Sequence, residues 1–283
     1  MKVGIQLFSV KNYMAKDALG TIRKVIDSGY RYLEGANHMA DKDYGIGFGV
    51  SADDLKKILD DTGAKVISCH YMPLSLDTIG PILEYQEKIG TKYIVDPAAF
   101  FECRDDVLRK AELCNKLGEK CKEAGMQFLY HNHFHEFHKF DGECAMDTLL
   151  ANTDEENVGL ELDTFWVMRG NADPIEFMKK YKGRIKLVHQ KDYTKGMEDQ
   201  MDAFKLLEGS DKIDFDAFMK VNDDRVFAEI GTGIMNIQEI IDTANEYCKS
   251  EYIVLEQDAT LKDELESISI SMEQFKKFSG IQW

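Results

Sequence analysis

The chain has 283 residues and a formal net charge of −16, from 35 Lys and Arg against 51 Asp and Glu. With 44% hydrophobic residues and only 4 prolines it carries enough apolar material for a large core, which excludes intrinsic disorder as its main state. The acidic balance argues against nucleic-acid binding, because no basic surplus is available to contact phosphates. The net charge does not argue against a small anionic substrate, because binding one needs only a local cluster of charged residues.

The amino-terminal segment and the cysteines indicate the cellular compartment. The segment MKVGIQLFSV lacks the long apolar region and the small-residue cleavage site of a signal peptide. No apolar run reaches the roughly 18 residues that a membrane helix needs. The six cysteines are scattered without a CxxC pair, which is typical of reduced thiols. We therefore expect a cytoplasmic protein without a membrane partner.

Short β-branched segments alternate with longer amphipathic segments along the whole chain. Eight segments have the pattern of buried strands: Lys2–Phe8, Tyr30–Gly35, Lys65–His70, Lys92–Asp96, Met126–His133, Val158–Phe165, Arg184–Asp192 and Tyr252–Gln257. A ninth short segment, Arg225–Ile230, lies in a long connection. Strand–helix alternation is typical of a parallel sheet covered by helices. Eight such units predict an α/β fold, a single (β/α)8 barrel in which residues 1–283 form one domain.

Capping residues mark the predicted helix boundaries. Ser51 precedes a predicted helix over Leu55–Asp61, and Asn236 caps a predicted helix over Ile237–Lys249. An open, doubly wound sheet is the alternative fold. It would require a glycine fingerprint after the first strand, but the candidate segment Gly45–Gly49 has the wrong spacing and follows the second strand.

Four consecutive strands end in side chains that can ligate a metal ion. His131 and His133 share parity at the end of the fifth strand, and the sixth, seventh and eighth strands end near Asp163, His189 and Glu256. Because the active site of a barrel lies at the carboxyl ends of its strands, we expect these side chains to converge. Singly, each has another explanation: a strand-end histidine is often only hydrogen-bonded, an aspartate can cap a helix, and a glutamate can form a salt bridge. The prediction therefore depends on the four strand ends together.

This set of donors suits a divalent cation. Nitrogen and oxygen ligands of intermediate hardness are compatible with several ions, and we expect Mn²⁺ first, with Mg²⁺, Co²⁺ or Zn²⁺ as alternatives. Such an ion polarises a carbonyl and its adjacent hydroxyl and stabilises an enediolate.

Six motifs along the chain carry a family resemblance: Gly4–Ser9, Tyr32–Ala36, Tyr130–His133, Leu160–Trp166, Val188–Asp192 and Val254–Asp258. In order and spacing they resemble the xylose-isomerase-like TIM barrel superfamily, often called sugar phosphate isomerases/epimerases. The resemblance covers nearly the whole chain. The superfamily includes ketose epimerases, inosose dehydratases, dehydroshikimate dehydratase and enzymes that cleave 3-keto-glycosides.

The resemblance implies that Asp163, His189 and Glu256 are metal ligands. The family's fifth-strand ligand is usually glutamate, but this chain has His131 there. Either His131 binds the metal directly, or Glu136 folds back to supply a carboxylate. The resemblance implies that epimerases of the family use a symmetric pair of glutamates, which exchange a proton on opposite faces of the substrate. Because His131 replaces one glutamate of this pair, the sequence favours the lyase branches.

Two residues are expected to move protons and four others to contact substrate. Either Glu256 or His133 would remove the proton next to the carbonyl, and His133 matches a histidine of the family's dehydratase branches. A histidine suits this role because its ordinary pKa of about 6.5 lies near neutral pH. Substrate contacts are expected from Glu34, His70, Trp166 and Lys191. The first two are equally compatible with a structural hydrogen-bond network, and the tryptophan with core packing.

The leading functional expectation is a divalent-metal-dependent isomerase or epimerase of a sugar or keto-polyol, acting through an enediolate intermediate. The alternative is a lyase of the same superfamily, an inosose dehydratase or a 3-keto-glycoside-cleaving enzyme. A lyase shares the proton removal and then expels a β-leaving group. A non-catalytic barrel subunit is a third alternative, which the intact ligand positions argue against. The expected partner is a small carbohydrate, and a homo-oligomer is compatible with the sequence.

Overall fold

The structure is a computed structural model that describes residues 1–210 and 212–283. Within that part of the chain, eight parallel strands close into a barrel: β1 (Lys2–Gln6), β2 (Tyr32–Asn37), β3 (Lys65–Tyr71), β4 (Tyr93–Asp96), β5 (Gln127–His131), β6 (Val158–Asp163), β7 (Ile185–Gln190) and β8 (Tyr252–Leu255). Each strand pairs with the next, and β8 pairs in parallel with β1. The predicted barrel is confirmed.

One main helix covers the outside of the barrel after each strand. These are α1 (Ala18–Asp27), α2 (Ala52–Thr62), α3 (Ile79–Ile89), α4 (Arg104–Glu123), α5 (Ala145–Ala151), α6 (Pro174–Lys180), α7 (Ile237–Thr243) and α8 (Glu264–Phe275). Ser51 caps α2 by accepting a hydrogen bond from the backbone N–H of Asp54 at 3.1 Å. Asn236 caps α7, which ends at Thr243, earlier than predicted, because the chain continues as one π-helical turn over Ala244–Cys248.

Five of the eight predicted barrel strands extend too far at their carboxyl ends, whereas β2 and β3 continue past their predicted ends and β4 ends at Asp96 as predicted. The fifth was predicted to reach His133, but β5 ends at His131, because the backbone N–H of His133 donates to the Glu136 carboxylate and not to a neighbouring strand. The predicted ninth strand is reduced to Phe227–Ala228. It pairs antiparallel with Asp192–Tyr193, outside the barrel.

The barrel interior has an apolar layer and a polar layer, with every side chain at most 6% exposed. The apolar layer lies toward the amino ends of the strands: Ile67, Tyr93, Val95, Leu129, Leu187, Tyr252 and Val254. The polar layer lies toward the carboxyl ends: Gln6, Glu34, Ser68, His70, Glu161 and His189. Because buried polar groups require hydrogen-bond partners, the second layer forms a connected network that supports the site above it.

A long insertion separates β7 from α7. Its described residues, 191–210 and 212–236, include the short α-helices Ala203–Leu206 and Phe215–Val221. The Asp192 carboxylate anchors the insertion by accepting hydrogen bonds at 2.9–3.0 Å from the backbone N–H groups of Gly231, Gly233 and Met235. Tyr193 and Phe227 of the insertion pack with Phe134, Phe165 and Trp166 in one apolar cluster.

Two further observations concern membranes and disulfides. Within residues 1–210 and 212–283, no helix combines the length and the apolar character needed to cross a bilayer. All six cysteines are free, as the sequence predicts.

Candidate active site

A cavity of about 520 Å³ opens at the carboxyl ends of the barrel strands. Polar side chains form its floor: Gln6, His38, His70, His131, Glu256 and Asp258. Apolar side chains line its mouth: Phe8, Met72, Phe100, Phe215, Phe218 and Met219. The cavity therefore joins the polar layer of the barrel to the inserted helix Phe215–Val221.

The four predicted metal ligands come together at this floor, where His131 and Glu256 line the cavity and Asp163 and His189 lie behind them. His131, Asp163, His189 and Glu256 each offer one donor atom, and the four donor atoms lie within 4.8 Å of one another. Each comes from the end of a different strand, β5 to β8, and all four residues are buried. The expected convergence is confirmed.

His131 is oriented with one nitrogen free. Its Nδ1 lies 3.1 Å from the Pro97 carbonyl oxygen, which can only accept, so Nδ1 carries the proton. Its Nε2 has no hydrogen-bond partner and faces Asp163 Oδ2 at 3.6 Å and Glu256 Oε2 at 3.8 Å. Burial lowers the pKa of His131, which favours the neutral form that ligates metals.

Asp163 performs two tasks with its two carboxylate oxygens. Oδ1 accepts a hydrogen bond from the backbone N–H of Trp166 at 2.9 Å and caps the helix Thr164–Arg169, while Oδ2 faces the donor set. Asn132 holds the same residue through its backbone, accepting from Asp163 N–H at 3.0 Å and donating to Asp163 O at 3.2 Å. The capping and the ligand interpretations of Asp163 are therefore compatible.

His189 connects the donor set to the polar layer. Its Nδ1 lies 2.9 Å from Glu256 Oε2, and its Nε2 lies 2.7 Å from Glu34 Oε1 and 3.2 Å from Glu161 Oε1. Despite burial, the carboxylates of Glu161, Glu34 and Glu256 raise the pKa of His189 well above its ordinary value, so ligation of a metal by Nδ1 requires that this nitrogen first lose its proton. His70 completes the network, with its Nε2 2.5 Å from Glu161 Oε2 and 3.3 Å from Glu34 Oε1.

Glu34 and His70, two of the predicted substrate contacts, therefore belong to this network. His70 also lines the cavity, whereas Glu34 lies below it and is fully buried. Burial, reinforced by the negative charge of Glu161, raises the pKa of Glu34 to about 7.

Lys191 places a positive charge among the carboxylates. Its ammonium contacts Asp163 Oδ2 and Glu256 Oε2 and lies 3.6 Å from Asp258 Oδ1. Burial alone would lower the pKa of Lys191, but the carboxylates of Asp163, Asp258 and Glu256 raise it, so the side chain is charged. Burial, reinforced by the charges of Glu256 and Asp163, raises the pKa of Asp258 to about 7, so this third carboxylate titrates near neutral pH.

The donor set fits a divalent metal ion on two grounds. The buried Nε2 of His131 is a polar atom without a partner, and it points at the carboxylates of Asp163 and Glu256. The carboxylates of Asp163 and Glu256, which share the ammonium of Lys191, are also anionic ligands for a divalent cation. Two imidazoles and two carboxylates are a common donor set for such ions.

Glu136 is turned away from the donor set. Its carboxylate accepts hydrogen bonds from the Tyr130 hydroxyl at 2.8 Å and from the backbone N–H of His133 at 2.9 Å. It is absent from the donor groups formed by the described residues. The fifth strand therefore offers His131, and not a folded-back carboxylate, to this centre.

His133 lines the cavity beside the donor set, with its ring centroid 5.0 Å from that of His131. Its Nδ1 is buried and has no hydrogen-bond partner. Burial, together with the charges of neighbouring basic groups, lowers the pKa of His133 well below its ordinary value, so the imidazole is neutral.

Trp166 lies behind the cavity wall. Its side chain is 0% exposed and packs against His133, Phe134 and Phe218, with ring centroids 5.4–6.0 Å apart. It is not among the cavity-lining residues. This position favours the packing interpretation, and stacking on a substrate ring stays a prediction.

Several site residues were missed by sequence reasoning. Asn132 holds Asp163 in place, and His38, Asp258 and Phe218 line the cavity. Asp258 shares parity with Glu256, which is a signal that could have identified it. The others carry no such pattern, because their positions depend on how loops fold over the barrel.

Comparison with curated proteins identifies partial relatives. An inosose dehydratase from Clostridium perfringens is 33% identical over 160 residues, or 50% of this chain and 53% of that protein. An inosose dehydratase from Bacillus cereus is 26% identical over 213 residues, or 75% of this chain and 64% of that protein. The chain spans about half the length of the first of these relatives.

Solved structures share the fold over nearly the whole chain. A sugar phosphate isomerase/epimerase from Parabacteroides distasonis superimposes with a TM-score of 0.76 at 24% identity, covering 99% of this chain and 95% of that one. The IolI protein with a bound zinc atom superimposes with a TM-score of 0.70 at 16% identity, covering 98% of this chain and 97% of that one. Likeness at these identities establishes the fold alone.

A family profile provides the broader assignment. The profile described as xylose isomerase-like TIM barrel matches residues 22–277, which include all four candidate ligands and seven of the eight barrel strands. This chain therefore belongs to the xylose isomerase-like TIM barrel family.

Proposed function

We propose that this protein is a divalent-metal-dependent lyase that acts on a small polyhydroxylated ketone, such as a keto-sugar or an inosose. It would remove the proton next to the carbonyl and expel a hydroxyl from the β-carbon as water. The observation that carries this proposal is the asymmetry of the donor set: the fifth strand offers His131 where a carboxylate is expected, and the half-buried imidazole of His133 lines the cavity beside it.

The asymmetry matters because the two reactions need different numbers of proton carriers. Epimerisation at one carbon requires groups on both faces of the substrate, so that the proton leaves on one side and returns on the other. Elimination can proceed with one carrier, which takes the proton from the α-carbon and passes it to the departing oxygen on the same face. The relatives named inosose dehydratase support the elimination.

His133 is the residue proposed to carry the proton. A neutral imidazole that lines the cavity can accept the α-proton, and the resulting imidazolium can donate it to the leaving hydroxyl. The C–H and β-carbon–oxygen bonds break, a carbon–carbon double bond forms, and water leaves. Glu256 is less suited to the role of base, because Lys191 and His189 hold its pKa well below the usual range despite burial.

A metal ion would be held by His131, Asp163, His189 and Glu256. When bound, it supplies Lewis acidity that polarises the substrate carbonyl and acidifies the adjacent C–H bond. The second imidazole in the donor set favours Mn²⁺, Co²⁺ or Zn²⁺ over Mg²⁺. Elemental analysis of the purified protein identifies the ion, and we expect about one equivalent per chain that chelation removes.

Product analysis tests the proposed reaction. The metal-loaded protein is incubated in D₂O with a panel of inososes and keto-hexoses, and the products are identified by mass spectrometry and NMR. We expect a product that has lost one water and carries a new carbon–carbon double bond. Conversion to an isomer of unchanged mass, with deuterium on the α-carbon, would contradict the lyase assignment.

An isomerase or epimerase of the same substrate class is the second candidate. Glu256 and His133 both line the cavity, so a proton taken by one could be returned to carbon by the other. This candidate predicts deuterium incorporation without loss of water. The same incubation therefore decides between the two reactions.

A further inference from the structure

Part of the cavity lining is apolar and exposed, although Lys11, Asn222 and Asp224 also line the cavity. Phe100, Phe215, Met219 and Met72 line it and are 36%, 57%, 51% and 36% exposed. We call these four side chains, together with the more buried Phe218, the apolar rim. Exposed apolar side chains that cluster around a cavity commonly mark a binding surface.

The apolar rim comes from three separate parts of the chain. Phe215, Phe218 and Met219 lie on one short helix of the insertion, Phe100 follows β4, and Met72 follows β3. The ring centroids of Phe100 and Phe215 are 6.5 Å apart, and those of Phe100 and Phe218 are 6.4 Å apart, both pairs edge to face. His135 also lines the cavity and stacks on Phe100, with the two ring centroids 4.4 Å apart. These contacts form a cleft lined by ring faces and edges.

The cavity floor has the opposite character. His131, Glu256 and Asp258 offer nitrogen and carboxylate groups, and none of the rim side chains provides a charged group. The volume of about 520 Å³ falls within the range of roughly 300–1,000 Å³ that encloses drug-sized ligands. The cavity is therefore matched to a molecule with a polar end and an apolar end.

We propose that the substrate carries an apolar, ring-sized substituent on its polyhydroxylated ketone, and that the apolar rim binds this substituent while the ketone lies at the floor. This inference rests on the proposed function for the polar end of the substrate and adds a specificity subsite. A ligand is favoured over a protein partner because the rim is concave and continuous with the cavity floor. An aryl or alkyl ether or glycoside has the required chemistry.

Paired inert probes test the subsite. Phenyl β-D-glucopyranoside and methyl β-D-glucopyranoside share the polyol and differ only in the apolar group. Their dissociation constants for the metal-loaded full chain are measured by calorimetry. Burying a phenyl ring is expected to make the phenyl glucoside bind roughly tenfold to a hundredfold more tightly. Equal binding of the two probes, or no binding of either, would overturn the proposal.

Substitutions in the rim assign the effect to named side chains. In the double variant F215A/M219A the preference for the phenyl probe is expected to fall to about threefold or less, with the affinity for the methyl probe unchanged. Trp283→Ala is the matched control, because Trp283 is 66% exposed and is not among the cavity-lining residues. A preference that persists in F215A/M219A would contradict the assignment. Circular dichroism confirms that both variants are folded.

The remaining outcomes separate this proposal from the proposed function. A preference for the phenyl probe without turnover of any ketone supports the subsite and contradicts the lyase. If unsubstituted inososes are turned over, and neither a phenyl substituent nor the F215A/M219A variant changes that turnover, the lyase is supported and the subsite is overturned. If the protein is a dimer in solution that the F215A/M219A variant dissociates, and if both probes bind equally, the apolar rim would be assigned to contact with a second copy of the chain.

Discussion

The floor and the mouth of the cavity are built by different means. At the floor, His131, Asp163 and His189 are fixed by strands and by hydrogen bonds to Pro97, Asn132 and Glu34, and each is at most 1% exposed. At the mouth, Phe215 and Met219 project from a short inserted helix and are more than half exposed. The floor is therefore suited to chemistry that needs fixed geometry. The mouth is suited to selectivity, which can change without disturbing the barrel.

The largest expected effect comes from removing a ligand at the floor. Asp163→Ala deletes a donor, leaves Lys191 without one of its carboxylate partners, and uncaps the helix Thr164–Arg169. We expect kcat/KM to fall at least a thousandfold, with loss of the bound metal measured by elemental analysis. Asp60→Ala, at an exposed position on α2, is the control. A variant at position 163 that keeps metal and activity would contradict the assignment of this donor set as the catalytic metal centre.

The next effect separates proton transfer from metal binding. His133→Gln keeps a polar side chain in the cavity but removes the group that can carry a proton, so kcat is expected to fall by roughly 10² to 10⁴. The metal content should stay at the wild-type level, because His133 is not among the four converging donors. Loss of the metal in this variant would mean that His133 supports the centre structurally.

A smaller effect is expected one layer behind the ligands. Asn132→Ala removes both side-chain hydrogen bonds to the Asp163 backbone, so the carboxylate is held less firmly. Residues that orient metal ligands typically contribute about 10-fold to 100-fold to metal affinity. Titration of the apoprotein with Mn²⁺ or Zn²⁺ measures this change. An unchanged affinity would show that β6 alone fixes Asp163.

The smallest effect is expected at the mouth. Phe215→Ala removes a ring that is 57% exposed, so the free energy of unfolding should change by less than about 0.5 kcal/mol. Denaturant unfolding of the variant and of wild type measures the difference. A loss of more than about 2 kcal/mol would mean that the inserted helix stabilises the barrel, and the contrast between floor and mouth would fail.

The sequence predicted the floor better than the mouth for a physical reason. Strand parity and the rule that barrel sites lie at carboxyl strand ends place His131, Asp163, His189 and Glu256 together, and a closed barrel leaves these side chains little freedom. The helix Phe215–Val221 lies in an insertion with no repeating pattern, so nothing in its sequence indicated that it covers the cavity. The position of Trp166 behind the cavity wall could not be predicted from the sequence either, because it depends on how the insertion packs around this side chain.

The methionines of the apolar rim make the mouth open to oxidation. Met72 and Met219 are 36% and 51% exposed, whereas the metal-binding side chains lie beneath them and the floor has no thiol. Conversion of a methionine to its sulfoxide replaces an apolar surface with a polar one. Mild peroxide should therefore weaken the binding of apolar groups before it disturbs the centre, and methionine sulfoxide reductases would restore it. Samples prepared without reductant would then differ in selectivity while keeping the same metal content.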